Sequence, residues 1–237
     1  ESLDAGLEFS EAFMGKTAIE HHGEPLPDET IEAVRSAGLA LKGPVTTPIG
    51  SGFRSVNVAL RRALDLHANI RPCHHTPGVG TRITDPENID MVIVRENLED
   101  LYMGVEFEAG TEDAELLRAF LSDRDRETPQ GSAYSIKPIS KQGSETIIRT
   151  AFEYALEHGR KNVTAVDKAN IMKATDGLFM HTAERIAQDY DIEYEHVLVD
   201  DVAQQLVMHP ERFDVVVTQN IYGDILSDLA AGLVGGV

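Results

Sequence analysis

A chain of 237 residues, 42% hydrophobic and 26% charged, is of ordinary globular type and long enough for one large domain or two smaller ones. Its 40 acidic residues against 21 basic ones give a formal charge of −19, a field that repels phosphates and argues against nucleic acid or an anionic membrane as partner. No apolar run is long enough to span a bilayer and no secretory leader opens the chain; the single cysteine, Cys73, cannot make an internal disulfide, so a cytoplasmic location is expected. Cys73 itself reads as a small buried side chain rather than a nucleophile. Few lysines beside many acids hint at a salt-adapted source. The opening at Glu1 without an initiator methionine and the stop inside GLVGGV read as an internal piece of a longer protein.

In chain order, a helix is predicted over 28–37, with Asp28 as cap and Ile31 and Val34 as its apolar stripe, followed by a strand over 39–43. The stretch 52–72 reverses the local charge. Read as a helix from Ser55 to Asp65, it stacks Asn57 and Arg61 at the i,i+4 spacing and puts Ser55 at the N-terminus, where free N–H groups favour a carboxylate or phosphate. Arg71 closes the run just after a short apolar strand. A solvated amphipathic helix, with Val56, Val58, Ala59, Ala63 and Leu64 inward, explains the same residues without a ligand.

Strands are expected at 91–94, 162–166, 196–199 and 213–219, and helices at 144–158, 170–189, 201–208 and 222–233. That alternation is the signature of an α/β fold with a substantially parallel or mixed sheet. The segment 108–135 is charged and turn-rich, lacks a long apolar period, and returns to the strand-like SAYSIKPIS; it reads as a protruding arm that pairs with another subunit.

Asp224 and Asp228 fall on one face of the last helix at a spacing that destabilises it unless a cation offsets them. A divalent magnesium or manganese ion suits such hard oxygen ligands, while the helix dipole alone accounts for Asp224. Asp200 or Asp201 supplies a further carboxylate at a strand mouth, where α/β proteins place ligands, although one of the two reads as a helix cap. Lys168 ends a strand beside Asn170; near a metal such a lysine can serve as a base, and alone it is surface decoration. Arg95 and Tyr102 flank a cluster of acids, with Tyr102 either a proton donor or an interface aromatic.

The blocks TTPIGSGFRSVNVALRRALDLHANIRP, RENLEDLYMGVE, VDKANIMKATDG, LVDDVAQQLV and NIYGDILSDLAAGLVGG, in that order, resemble the metal-dependent β-decarboxylating dehydrogenases of 2-hydroxy acids, the isocitrate/isopropylmalate dehydrogenase family. The resemblance runs through nearly the whole chain, fits 108–131 loosely, and is most specific in the last block. It implies an isopropylmalate-dehydrogenase-like two-domain α/β fold with mixed sheets, not a Rossmann fold; no G-x-G-x-x-G is present. It further implies Thr47, Ser55, Asn57, Arg61, Arg71 and Arg95 as ligands of the substrate carboxylates, and Tyr102 as the acid that protonates the enolate after CO₂ leaves. Lys168, acting with Asp201, takes the hydroxyl proton. Asp201, Asp224 and Asp228 ligate Mg²⁺ or Mn²⁺, and Asn170 neighbours the nicotinamide. Lys168 and Asp201 cross a homodimer interface in this family, so the active sites are shared.

The implied activity is oxidative decarboxylation with hydride transfer to NAD or NADP, DLHANIRP leaning slightly toward NAD. Polar Ser55 and Asn57 favour isocitrate over 3-isopropylmalate, because unpaired buried donors cost roughly 1–3 kcal/mol each against an apolar group; homoisocitrate is the nearer rival. A regulatory subunit that binds such anions without reacting, and a metal-dependent hydrolase or lyase, are the competing classes. The former is expected to lack Tyr102, Lys168 or an aspartate ligand, and all are present. The implied domains are 1–66 as part of a large domain, 67–99 with 141–231 as the small dimer-forming domain, 100–140 as a clasp-like arm, and 232–237 as the return to the large domain. The 237 residues alone are expected to turn over poorly.

Overall fold

A computed structural model of the chain describes residues 6–45 and 55–236, which divide at Leu66/His67 into two compact units. The first unit holds helices α1 (Lys16–His22), α2 (Asp28–Ala37) and α3 (Val56–Ala63). Asp28 is the first residue of α2 rather than its cap; Pro27 takes that place, since proline's fixed φ and missing N–H suit the position preceding free helix donors. No strand forms over 39–43. Leu41 is 95% exposed, and a strand needs a hydrogen-bonded neighbour that no described residue of this unit supplies.

The second unit is built on a five-stranded sheet of order β1-β2-β7-β5-β6. Its strands are β1 (Ala68–His74), β2 (Asp90–Glu96), β5 (Asn162–Asp167), β6 (Glu193–Leu198) and β7 (Val215–Thr218). Only β1 runs antiparallel, so the sheet is mixed, as expected from the sequence. Side chains alternate across it. Ile93, Val166 and Val216 face α7 (Val199–Met208) and α8 (Asn220–Leu233) through Leu206, Leu226 and Ala230. Val92, Val94, Val163 and Val217 face α5 (Lys141–Glu157) and α6 (Thr175–Ala187) through Ile148, Phe152 and Phe179. Both faces of the sheet are thus covered, and its buried strands read as continuous apolar runs.

The helices after β2 and β5 lie on one face and those after β6 and β7 on the other. Consequently β7 is flanked at its C-terminal end by two crevices where the connections part to opposite sides, the places where open α/β sheets bind ligands.

The segment between β2 and α5 is more regular than the sequence suggested. Strands β3 (Val105–Phe107) and β4 (Tyr134–Ile136) pair antiparallel, with α4 (Glu112–Ser122) between them. Thr111 accepts a hydrogen bond from the Ala114 N–H and acids fill the first turn, a helix start that the high charge had obscured. Other boundaries move as well: α5, α7 and α8 begin at Lys141, Val199 and Asn220, two or three residues earlier than expected. α6 begins at Thr175 rather than 170, because residues 168–172 form a turn in which the Ile171 and Met172 N–H groups donate to the Lys168 carbonyl. Arg71 lies in the middle of β1 rather than after it, opposite Ile93. Cys73 is buried, and burial pushes its thiol up to about 11, which keeps it protonated and inert. Among the described residues no helix is long and apolar enough to cross a membrane.

Candidate active site

The crevice between β2 and β7 holds an arginine–aspartate–tyrosine cluster. Arg95 is the penultimate residue of β2 and its side chain is 1% exposed. It lies flat against α8 because residue 223 is glycine: a Cβ there would sit 2.5 Å from Arg95 Cγ and 2.7 Å from Arg95 Cβ. The buried guanidinium donates from Nε (3.0 Å) and Nη2 (2.8 Å) to Asn220 Oδ1 and from Nη1 to Asp224 Oδ1, so its desolvation is met by hydrogen bonds.

Arg71 reaches the same carboxylate from β1, with Nη2 3.5 Å from Asp224 Oδ1, while its Nη1 donates to Asp228 Oδ1 at 3.1 Å and to Ser227 Oγ. One guanidinium therefore faces both aspartates. Their hard oxygens and their number suit a divalent ion that completes its shell with water and substrate. Arg71, Ser227 and Asp228 line an open cavity of about 250 Å³.

Tyr102 follows β2 in a short 3₁₀ turn and donates its hydroxyl proton to Asp224 Oδ2, with the Arg95 guanidinium 4.9 Å from its ring centroid. Burial, and then the Asp224 carboxylate, raise the phenol above its ordinary value, so it holds its proton at neutral pH. The turn is pinned by Asp100, wholly buried in a left-handed conformation with φ of 68°. Its carboxylate accepts the N–H of Leu101 and, at 2.8 Å, that of Ile221 at the start of α8, which Gln219 does not cap with its own side chain.

A second group of side chains lies further along the same sheet edge. Lys168 follows β5 and its ammonium pairs with Asp200 in the first turn of α7, holding that carboxyl below the usual carboxylate range. Asp201 points elsewhere, accepting from Gln205 Nε2 at 3.4 Å, and Asn170 is exposed. Within the described residues of one chain no cluster of three acidic, histidine or cysteine side chains forms a metal cage. Asp224 and Asp228 contribute two carboxylates, and Asp201 stands on the helix after β6, beyond β5 in the strand order.

In the first unit, Ser55 precedes α3 without a side-chain capping bond, Asn57 and Arg61 occupy successive turns, and the buried Asn57 Oδ1 has no hydrogen-bond partner among the described residues. Thr47 lies outside the described residues.

The sequence reading missed Asn220, Ser227 and Gly223, all inside the block it singled out, because their roles depend on what packs against that helix. It also missed Lys137, at the end of β4, whose Nζ donates to Asp176 Oδ1 at 2.7 Å and to Gln219 Oε1. Its signal was a lone lysine in an otherwise apolar and small-residue strand.

Comparison with known proteins places these residues in context. The family model for isocitrate/isopropylmalate dehydrogenase matches residues 1–237. The NADP isocitrate dehydrogenase of Streptococcus salivarius is 43% identical over 98% of this chain and 62% of its own length. That of Haloferax volcanii is 37% identical over the whole chain and 63% of its length. The chain thus spans under two thirds of these relatives. The crystal structure of isocitrate dehydrogenase from Methylococcus capsulatus superposes with a TM-score of 0.82 at 47% identity, covering 94% of this chain and 61% of that one. The TT0538 protein of Thermus thermophilus gives 0.85 at 42% identity, over 98% of this chain and 43% of that one. The relatives named here by cofactor carry NADP, so the lean toward NAD drawn from DLHANIRP finds no support among them.

Proposed function

Since the chain belongs to the isocitrate/isopropylmalate dehydrogenase family, we propose that the full-length protein oxidises and decarboxylates isocitrate to 2-oxoglutarate with NADP and a divalent metal ion. The observation that carries this reading is the convergence of Arg71 and Arg95 on Asp224, with Asp228 and the protonated Tyr102 in the same crevice. Fixed guanidinium forks bind carboxylates in defined geometry, and adjacent aspartates provide a hard-cation site. A bound Mg²⁺ or Mn²⁺ supplies polarisation of the substrate's hydroxyl and carboxylate oxygens, and bound NADP supplies the hydride acceptor.

The chain's own residues account for the rest. Asp224 and Asp228 would hold the ion, and Arg71 and Arg95 the substrate carboxylates, with Arg95 immobilised by Asn220 and by Gly223. Tyr102 retains its proton until carbon needs one after CO₂ departs. Lys168, at the mouth of β5 with its ammonium paired to Asp200, is the group proposed to take the substrate hydroxyl proton. Lys168 and Asp201 sit across β5 and β6 from the arginine cluster, an arrangement that suits a homodimer in which each chain lends them to its partner's site. The carboxylate-binding residues Thr47, Ser55, Asn57 and Arg61 and the nicotinamide neighbour Asn170 complete the proposed set. The unpartnered Oδ1 of Asn57 would stay unsatisfied against an isopropyl group, which favours a polar substrate arm over 3-isopropylmalate.

The test is a spectrophotometric assay of the full-length protein with Mn²⁺, offering isocitrate, homoisocitrate and 3-isopropylmalate with NADP and with NAD. Reduction of NADP by isocitrate, abolished by chelator and restored by Mn²⁺, is expected. Absence of isocitrate-dependent reduction with either nucleotide, or a tenfold preference for 3-isopropylmalate, overturns the reading.

A further inference from the structure

The other crevice beside β7, on its β5 side, is filled by Lys137. This side chain is 11% exposed and comes from the arm, directly after β4. Its ammonium is saturated: it donates to Asp176 Oδ1 at 2.7 Å, to Gln219 Oε1, and to the Tyr222 hydroxyl at 3.4 Å, over whose ring it sits at 4.5 Å. A second carboxylate, Asp100, lies 4.0 Å away. Asp100 and Asp176 are both 0% exposed. Carboxylates so far from water stay charged only beside a cation that is itself hydrogen-bonded.

Asp176 uses its other oxygen differently. Oδ2 accepts the backbone N–H of Lys168 at 2.8 Å and the Tyr222 hydroxyl at 3.0 Å. The backbone closes a loop through the same residues: the Asp176 N–H donates to the Met172 carbonyl, and the Met172 N–H to the Lys168 carbonyl. The direction in which Lys168 leaves β5 is therefore set by one buried carboxylate, and that carboxylate is held by Lys137.

We propose that Lys137 and Asp176 form a positioning pair that fixes the Lys168 turn from the arm, making the orientation of the Lys168 side chain depend on the docking of β4. Neither residue touches substrate, since every donor of Lys137 is already engaged. The catalytic consequence rests on the isocitrate dehydrogenase reading above; the structural link does not. Gln219 serves as the third point of anchorage. Its Oε1 is bound by Lys137 while its buried Nε2 has no partner, so its orientation comes from Lys137 rather than from a network of its own.

The experiment compares wild type with Lys137→Met in the full-length protein by peptide-level amide hydrogen exchange and by steady-state kinetics. Exchange over residues 167–173 is expected to quicken at least tenfold while the core peptides of β2 and β7 are unchanged. The turnover number kcat for isocitrate is expected to fall at least tenfold with KM within threefold. A well-folded variant with unaltered exchange in that peptide overturns the proposal, as does a loss confined to KM. If wild type oxidises no isocitrate, the functional reading fails and the exchange result still decides the positioning pair. Should Lys137→Met not fold, the charge-neutral double variant Lys137→Met/Asp176→Asn is read in its place. Failure of that variant to fold makes the pair merely structural and also overturns the proposal.

Discussion

The two reactive groups along the sheet edge differ in how firmly they are held. Between β2 and β7, Arg95 is buried, bidentate on Asn220, packed on Gly223 and paired with Asp224, so its direction is over-determined. At the mouths of β5 and β6, Lys168 touches an exposed aspartate by its tip, and only its backbone is fixed. The difference matches the tasks proposed for them. Holding a polycarboxylate needs rigid, desolvated forks, whereas a proton carrier needs a solvent-accessible amine whose protonation state can change.

The contrast can be broken from either side. The largest effect is expected for Lys168→Met in the full-length protein, which removes an acid–base group and lowers kcat by about 10²–10⁴-fold with KM little changed. Steady-state rates with isocitrate check it. Arg95→Lys keeps the charge but loses the fork, and is expected to lower kcat/KM by about 10–100-fold, mostly through KM, because a lysine has no planar fork to bond Asn220 twice while holding a fixed direction toward Asp224. Equal losses in kcat for both variants would erase the distinction drawn here.

Gly223→Ala sharpens the argument through its sign. In an open helix position this change stabilises by up to about 1 kcal/mol. Here the new methyl meets the Arg95 stem, and a loss of about 1–3 kcal/mol in denaturant unfolding is expected instead. The smallest effect is expected at the opposite end of the sheet. Arg160 donates to Asp90 and holds its carboxyl below the usual range. A carboxyl depressed in the folded state contributes stability that is full above its unfolded value near 4 and is lost as pH falls through the folded one. Asp90→Asn should therefore cost under about 1 kcal/mol at pH 7, the pair being largely solvated, and progressively less as pH is lowered from about 4 through the folded value. Urea unfolding across that range reads it out.

Much of this was legible in the sequence. Strands such as 91–94 and 213–219 are apolar on both faces because both faces are covered, and the helices between them carry ordinary amphipathic periods. The paired aspartates, the strand-mouth lysine and the arginines were visible as types. Less legible were features whose cause lies elsewhere in the chain. LALKG has strand-like composition but no neighbour among the described residues of its unit. α4 is masked by its charge, although Thr111 and the acids after it mark a start. Asp100, Asp176 and Lys137 look like surface residues in sequence and are buried because they satisfy one another.

By itself, then, the sequence determined the fold class and the chemical inventory, since periodicity and residue type are local properties. The tertiary structure decided which groups meet. Arg71 and Asp224 are 153 residues apart, and their contact follows from strand order in the sheet. Lys168 meets Asp200 rather than Asp201 because neighbouring positions on a helix point about 100° apart, so where α7 begins selects the partner.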